Sequence, residues 1–263
     1  MAFDKGNKSE KGTIIAVSGK GGTGKTVFSA MMIKLLSKNS RHILAIDADP
    51  ATSLPPALGL RARKTIGDLR EELVQGPSSA PSYDLPPDMI IDYQIKDMLV
   101  KAPTISLLAI GRPEGPGCYC LVNDILRHAI ETISNNFDLT IIDCEAGLEH
   151  LSRRTTRSVD IMVIVTDPTH RGLETARLIK GLAEKLEIHF KRICLVLNRA
   201  TGNIEEEFQQ KAQEIGIELL GIIPEDNNIT QYDRAGKPLI GLPEDSPAIR
   251  ATQKILTKLE IPI

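Results

Sequence analysis

The hydrophobic and polar positions of the chain fall into two recurring patterns. Short, nearly continuous apolar runs rich in β-branched residues predict strands that are buried on both faces, as in a parallel sheet. Such runs lie at 13–18, 43–47, 106–110, 139–143, 161–166, 192–197 and 219–223. Amphipathic stretches that predict helices lie at 25–37, 119–134, 173–186, 205–215 and 248–259. The alternation predicts an α/β fold with a single doubly wound, mainly parallel sheet flanked by helices.

The segment 75–87 breaks this alternation. It carries four prolines and three serines, so we expect a long surface excursion there. No stretch has the composition of a linker between two domains. We therefore expect one domain over residues 13–263, preceded by a polar tail at 1–12.

Composition narrows the class of protein. The 263 residues include 32 basic and 34 acidic side chains, and a formal net charge of −2 gives no reason to expect a nucleic-acid or membrane partner. Four cysteines do not make a secreted disulfide scaffold. The tail lacks the apolar core of a signal peptide, and the longest apolar runs are too short to span a bilayer. We expect a cytoplasmic protein.

A phosphate-binding motif follows the first predicted strand. It has the P-loop pattern G-x-x-x-x-G-K followed by Ser or Thr, and its residues are Gly19, Lys20, Gly21, Gly22, Thr23, Gly24, Lys25 and Thr26. The glycines let backbone N–H groups turn toward phosphate oxygens, and the helix N-terminus adds positive potential. Lys25 is expected to reach the β- and γ-phosphates of ATP, and the Thr26 hydroxyl to ligate Mg²⁺. The complete motif favours a nucleotide site over a glycine-rich turn without ligand.

Lys20 is a second lysine early in this loop. It is typical of the deviant Walker A subclass, and the loop resembles that of the MinD, ParA, arsenite-pump and nitrogenase iron-protein group. The resemblance implies that Lys20 crosses a dimer interface and neutralises transition-state charge on the partner's nucleotide, as an arginine finger does. An exposed lysine at a tolerant position is the alternative.

Acidic residues follow two of the predicted strands. Asp47 and Asp49 follow the second, and Asp143 ends the fourth in a Walker B-like run. Carboxylates at the carboxyl ends of parallel strands point into the crevice where ligands bind. The same resemblance implies that Asp47 and Asp143 hold Mg²⁺ through water, that Asp49 orients the attacking water, and that Gly147 senses the γ-phosphate. A helix N-cap could explain one of the aspartates but not all three.

The resemblance extends to the base-binding side of the site. Asn198 closes the strand predicted at 192–197, at the position where such ATPases pair an asparagine with the adenine edge. Pro224 and Glu225 follow the next strand, where the backbone of this group also touches the base.

Two of the four cysteines have a different setting from the others. Cys118 and Cys120 follow a Gly/Pro-rich turn at the start of a predicted helix, where the helix N-terminus lowers the pKa of a thiol and favours metal binding. Two such pairs about a two-fold axis would give four thiolates, which suit Zn²⁺, an Fe–S cluster or square-planar Ni²⁺. Surface thiols, free or oxidised, are the alternative. Cys144 and Cys194 are predicted to be structural.

The P-loop together with the segments 111–120 and 143–154 resembles the CooC-type accessory ATPases of carbon monoxide dehydrogenase maturation, and their AcsF branch for acetyl-CoA synthase. The resemblance runs from about residue 13 to the end of the chain. It implies a nitrogenase iron protein-like P-loop fold and a nickel-insertion factor that hydrolyses ATP to ADP as a homodimer. Cys118 and Cys120 of two subunits would share one Zn²⁺ or Ni²⁺, and the client would be one of the two nickel enzymes.

Two other functions share parts of this pattern. The turn before Cys118 also resembles the cluster-ligating turn of the nitrogenase iron protein, a 4Fe–4S electron-transfer ATPase. That family takes its second cysteine from beyond Walker B, and Cys144 is too close to Asp143 to match. A MinD- or ParA-type positioning ATPase that binds membranes would need a basic amphipathic tail, whereas 248–259 is predicted to pack on the sheet.

Overall fold

The computed structural model describes residues 12–39, 41–75, 87–112, 120–145, 159–185 and 190–261. The strands are β1 (Thr13–Ser18), β2 (Ile43–Ala48), β3 (Val100–Lys101), β4 (Ile105–Ala109), β5 (Leu139–Cys144), β6 (Ile161–Thr166), β7 (Arg192–Ala200) and β8 (Glu218–Pro224). The helices are α1 (Lys25–Leu36), α2 (Leu54–Ala57), α3 (Ile66–Gln75), α4 (Pro87–Met98), α5 (Cys120–Ile133), α6 (His170–Lys185), α7 (Glu205–Glu214), α8 (Asn227–Arg234) and α9 (Pro247–Lys258).

The strands form one sheet in the order β3-β4-β2-β5-β1-β6-β7-β8. All neighbouring strands in this order are parallel except β3 and β4. The first strand of the chain therefore lies in the interior of the sheet, between β5 and β6, and the chain winds outward from it in both directions. This arrangement confirms the predicted doubly wound, mainly parallel fold.

Apolar side chains cover both faces of the sheet. Along β1, Ile14 and Ala16 belong to one buried cluster, while Ile15 and Val17 belong to the cluster on the opposite face. The first cluster is closed by helices such as α5 and α6, and the second by α1 and α9. Burial on two faces explains why the strands have continuous apolar sequences.

The predicted elements are all present, and the structure contains further elements that the sequence did not predict. All seven predicted strands are present, and β7 continues three residues further than predicted, to Ala200. The sequence prediction missed β3, α2, α3, α4 and α8. The ends of the expected excursion at 75–87 belong to helices, since α3 ends at Gln75 and α4 begins at Pro87. The residues between them lie outside the described part of the chain, as do Tyr119, Cys118 and Gly147.

Candidate nucleotide site

The predicted site residues gather at the carboxyl edge of the sheet. The P-loop leaves the end of β1, while Asp47 and Asp143 lie at the ends of β2 and β5. Asn198 lies near the end of β7, and Pro224 ends β8. Because the carboxyl ends of parallel strands meet at one edge, residues from five segments of the chain surround the same loop.

The P-loop backbone is held in a shape that only glycine allows at two positions. Gly19 has a φ of 146°, and a Cβ there would meet the Val165 carbonyl oxygen at 2.0 Å. Gly24 has a φ of 89°, and a Cβ there would lie 2.3 Å from Asn198 Nδ2. Between them, the Thr23 hydroxyl lies 2.9 Å from both the Lys20 and the Val165 carbonyl oxygens. The loop is therefore fixed to β6 and β7 on its inner side.

The two lysines of the loop have different surroundings. Lys25 is buried, and its Nζ donates to the Lys20 carbonyl oxygen at 3.2 Å. Lys20 extends outward instead, with its Nζ 4.0 Å from Asp167 Oδ2 and 40% of its side chain exposed. An ion pair this exposed contributes little stability, so Lys20 is free to reorient toward another partner.

Asp47 and Asp143 stand side by side, because they are paired in register between β2 and β5. Asp47 is buried, and its carboxylate accepts hydrogen bonds from the N–H groups of Asp49 at 3.1 Å and Leu54 at 2.9 Å. Burial raises the pKa of Asp47 to about 7; the two N–H groups lower it, and the charge of Asp143 raises it. Both carboxylate oxygens of Asp47 are therefore already engaged with the backbone.

In the described part of the chain, Asp143 accepts a hydrogen bond through only one of its two carboxylate oxygens. Its Oδ1 accepts from the Ser29 hydroxyl at 3.0 Å, whereas Oδ2 is buried and has no hydrogen-bond partner among the described residues. Burial raises the pKa of Asp143 to about 6, although the hydroxyls of Thr26 and Ser29 and the charge of Lys25 lower it.

These donors suit Mg²⁺. An unpaired carboxylate oxygen beside the Thr26 hydroxyl is the oxygen-rich, partly preformed setting that Mg²⁺ uses, with waters and phosphate oxygens completing its shell. In the described ranges, no group of three or more His, Cys, Asp or Glu side chains could hold a metal by itself.

Two adjoining cavities lie over the loop. The first has a volume of about 580 Å³ and is lined by P-loop residues, Asp49 and residues around α2 and α8. The second has a volume of about 520 Å³ and is lined by Asn198, Pro224 and Glu225, among others. Both volumes lie within the range of small-molecule sites. The predicted phosphate and base residues thus line neighbouring parts of one cleft.

Three contact residues were missed by the sequence analysis. Ser29 lies one helical turn after Thr26, a spacing that places both hydroxyls on the same side of α1. Asp167 follows β6 directly and faces Lys20. Arg199 has a φ of 57°, and its guanidinium donates to the Gly22 carbonyl oxygen at 3.0 Å. In the sequence, Arg199 is marked only by its position directly after Asn198. In the structure, the pairing of β7 with β8 becomes irregular at this point.

The cysteines outside the Cys-Tyr-Cys motif are buried. Cys144 and Cys194 are both free thiols. Burial raises the pKa of Cys194 to about 11 and raises the pKa of Cys144 further. Neither thiol ionises at neutral pH, which fits the predicted structural role. Of the motif itself, Cys120 is the first residue of α5.

Residues 14–239 match the model of the CobQ/CobB/MinD/ParA nucleotide-binding domain family. The chain belongs to this family. It is 45% identical over 250 residues to an uncharacterized ATP-binding protein of Methanocaldococcus jannaschii, covering 94% of this chain and 98% of that protein. It is also 35% identical over 252 residues to the carbon monoxide dehydrogenase accessory protein CooC of Rhodospirillum rubrum, covering 90% of this chain and 91% of the relative.

Solved structures share the fold of this MinD/ParA-family ATPase. The MinD cell division protein of Aquifex aeolicus aligns with a TM-score of 0.71 at 24% identity, covering 95% of this chain and 98% of that one. The MinD of Pyrococcus horikoshii complexed with Mg-ADP aligns with a TM-score of 0.66 at 20% identity, covering 94% and 96%. Within the described residues, no helix combines the length and apolarity needed to cross a bilayer.

Proposed function

We propose that this ATP-binding protein is a homodimeric metallochaperone that hydrolyses ATP and assists nickel insertion into carbon monoxide dehydrogenase or acetyl-CoA synthase. The observation that carries the proposal is the combination of Lys20 in the P-loop with the Cys118–Cys120 pair. The relative from R. rubrum, 35% identical, is named as an accessory protein of carbon monoxide dehydrogenase, which supports the choice of client.

The nucleotide part of the mechanism rests on the cleft. The P-loop N–H groups and Lys25 would hold the phosphates, and Thr26 would ligate Mg²⁺ with Asp47 and Asp143 acting through water. Bound there, Mg²⁺ would neutralise charge on the β- and γ-phosphates. Asp49 lines the first cavity and would orient the attacking water.

The remaining parts of the site serve the base and the partner subunit. Asn198, Pro224 and Glu225 line the second cavity and would contact the adenine. Lys20 would leave Asp167 and reach the nucleotide of the partner subunit. Gly147 would report loss of the γ-phosphate after hydrolysis.

Metal binding by the Cys118–Cys120 pairs would be coupled to ATP binding and hydrolysis. ATP would draw two subunits together through Lys20, and the Cys118 and Cys120 thiolates of both subunits would then share one Ni²⁺ or Zn²⁺ as cargo. Hydrolysis would release the contact around Gly147 and loosen the shared metal site, so that nickel passes to the client.

The experiment is equilibrium dialysis of the full chain against Ni²⁺ and Zn²⁺, with and without ATP. The double variant Cys118→Ser/Cys120→Ser should lose one metal ion per dimer and keep the ATP affinity of the parent protein. Cys194→Ala serves as the control, because it removes a thiol that is buried in β7. Unchanged metal binding in the double variant would contradict the assignment of Cys118 and Cys120 as metal ligands.

A positioning ATPase of the MinD kind is the second candidate, and the likeness to MinD structures favours it. Against membrane positioning, the apolar side of α9, including Ile249, Ile255 and Leu256, is buried in the core. A liposome pelleting assay with ATP separates the two functions. A 4Fe–4S electron carrier would instead show broad absorption near about 400 nm in an anaerobic spectrum.

A further inference from the structure

The two edges of the sheet differ in how open they are. At one edge, β3 has only two residues and ends in Lys101, and short edge strands with lysine are a common protection against further pairing. At the other edge, β8 has seven residues and pairs only with β7 in the described sheet. An edge strand of this length presents a row of backbone donors and acceptors to a further strand.

A groove follows the β8 edge. It has a volume of about 470 Å³. Strand β8 contributes Leu220, Gly221, Ile222 and Pro224 to its lining, and α9 forms one wall. The helix runs antiparallel to the strand. Its start is tied to the end of β8 by the hydrogen bond from Ala248 N to Asp226, and its end is tied to Glu218 through Arg192.

The α9 wall carries three basic side chains. Arg250, Lys254 and Lys258 are exposed and recur every four residues, so they form one stripe along the groove. None of the three makes an ion pair with another residue of the described chain. The acidic lining residues Glu205 and Asp245 come from segments outside α9, and Glu218 at the start of β8 is paired with Arg192 at 2.9 Å.

We propose that the β8 edge and the basic stripe of α9 together bind an extended peptide segment of a partner protein, with acidic side chains at alternate positions. Four residues of a helix rise by about 6 Å and two residues of a strand by about 6.6 Å, so the stripe matches alternate side chains of a strand added beside β8. Main-chain hydrogen bonds to β8 supply affinity, and the stripe supplies the preference for acidic residues.

The charge of the basic stripe argues against two other occupants of the groove, a second copy of this chain and the chain's own tail. A second copy of this chain paired edge to edge would bring two identical basic stripes together, which is repulsive. Residues 1–11 of the chain's own tail contain three lysines against two acidic residues, so they do not complement the stripe either. The groove shares Pro224 with the second cavity of the nucleotide cleft, whereas Arg250, Lys254 and Lys258 line only the groove. The peptide-binding proposal therefore does not depend on the nickel-insertion role.

The experiment uses the full chain and a labelled hexapeptide in which glutamate alternates with valine. We expect saturable binding by fluorescence anisotropy, together with slowed hydrogen exchange of the β8 amides. Charge reversal in Arg250→Glu/Lys254→Glu should weaken binding by about tenfold. Lys185→Glu, which reverses an exposed lysine on α6, should leave binding unchanged.

Two further probes separate strand addition from simple charge attraction. A peptide in which lysine alternates with valine should not bind. The glutamate peptide N-methylated at every residue keeps its charges but has no N–H on either edge to pair with β8, and it should also fail to bind. Equal binding of the methylated probe, indifference to charge reversal, or protection of β8 by self-association without peptide would each overturn the proposal.

Discussion

The side-chain amide of Asn198 donates a 2.8 Å hydrogen bond to the Thr23 carbonyl oxygen, 175 residues away in the sequence. The same amide nitrogen occupies the place where a side chain on Gly24 would begin. Asn198 is buried, so the end of β7 and the P-loop are packed as one unit. A residue expected to contact the base therefore also holds the loop that is expected to carry the phosphates.

Gly24→Ala should weaken ATP binding by roughly tenfold or more, because its methyl group displaces Asn198 in addition to straining a backbone with positive φ. Titration with a fluorescent ATP analogue measures the effect. Gly202→Ala is the matched control, since Gly202 also has a positive φ of 73° but no atom of the described residues lies within 4 Å of its Cβ position. Equal losses of affinity in the two variants would show that backbone strain alone is responsible.

Asp143 should make the protein without nucleotide and Mg²⁺ less stable as the pH rises. Its pKa is about 6 in the folded chain against an ordinary value of 3.8, so the native state holds the proton more tightly than the unfolded state does. The stabilisation by the neutral carboxyl is complete below pH 3.8 and is lost as the pH rises through about 6. The ionised form at pH 8 then costs about 3 kcal/mol of unfolding free energy.

Asp143→Asn tests this linkage, because an amide stays neutral at every pH. In urea unfolding, the free energy of unfolding of the variant minus that of the wild type should increase by about 3 kcal/mol from pH 3.5 to pH 8. Asp245→Asn, at an exposed aspartate, should follow the wild-type profile. Parallel profiles for wild type and Asp143→Asn would contradict the buried, proton-holding carboxyl.

Asp226 joins the starts of two helices. It is the N-cap of α8, where it accepts from Asn228 N at 2.8 Å, and it also accepts from the Ser246 hydroxyl and from Ala248 N at the start of α9. Burial raises the pKa of Asp226, but the hydrogen bonds from Ser246, Ala248 and Asn228 outweigh burial and lower it overall. The carboxylate therefore stabilises the fold above its unfolded pKa, and this stability is lost as the pH falls through the lower folded pKa.

Asp226→Ala should reduce the unfolding free energy at pH 7 by about 2 kcal/mol, since it removes a cap and leaves buried N–H groups unpaired. The difference from the wild type should shrink in strongly acidic urea titrations. Asp233→Ala removes an exposed acid from the same helix and should change stability by less than about 0.5 kcal/mol. A pH-independent loss in Asp226→Ala would contradict the role of the carboxylate charge.

The sheet could be predicted because most of its strands are continuous apolar runs in the sequence. Burial on both faces made β2 and β5 continuous apolar runs, and their polar ends then placed Asp47 beside Asp143. Helix α8 has eight residues, and its only apolar side chains, Ile229 and Tyr232, are partly buried, so its pattern is too short to predict a helix. Its cap Asp226 is completed by Ser246, twenty residues later in the chain. Four-residue α2 contains two prolines and likewise lacks a helical pattern.

The contacts that shape the site depended on tertiary structure in the same way. The pairing of Lys20 with Asp167, the packing of Asn198 against Gly24 and the contact of Arg199 with Gly22 each join strands that are distant in sequence. A motif fixes which residues surround a phosphate. It does not determine which neighbouring strand ends hold the loop in place.

Variants that lack Lys20 and variants that lack Asp49 should restore ATP hydrolysis when they are mixed in one dimer. Lys20→Ala and Asp49→Ala should each bind ATP but hydrolyse it at least about a hundredfold more slowly than the wild type, because each lacks one part of the proposed catalytic site. In a mixed dimer, the nucleotide on the Lys20→Ala subunit keeps its own Asp49 and receives Lys20 from the partner. Statistical mixing of the two variants should therefore restore about a quarter of wild-type turnover.

The matched control for this experiment is Lys20→Ala mixed with the double variant Lys20→Ala/Asp49→Ala, which contains no Lys20 and should recover nothing. Phosphate release measured against total protein concentration gives the readout, and recovery should grow with concentration as dimers form. In the structure Lys20 lies 4.0 Å from Asp167 of its own chain, so action in trans requires it to leave that contact. If mixing restores no activity while each variant still binds ATP, Lys20 acts within its own subunit and the dimeric mechanism is wrong.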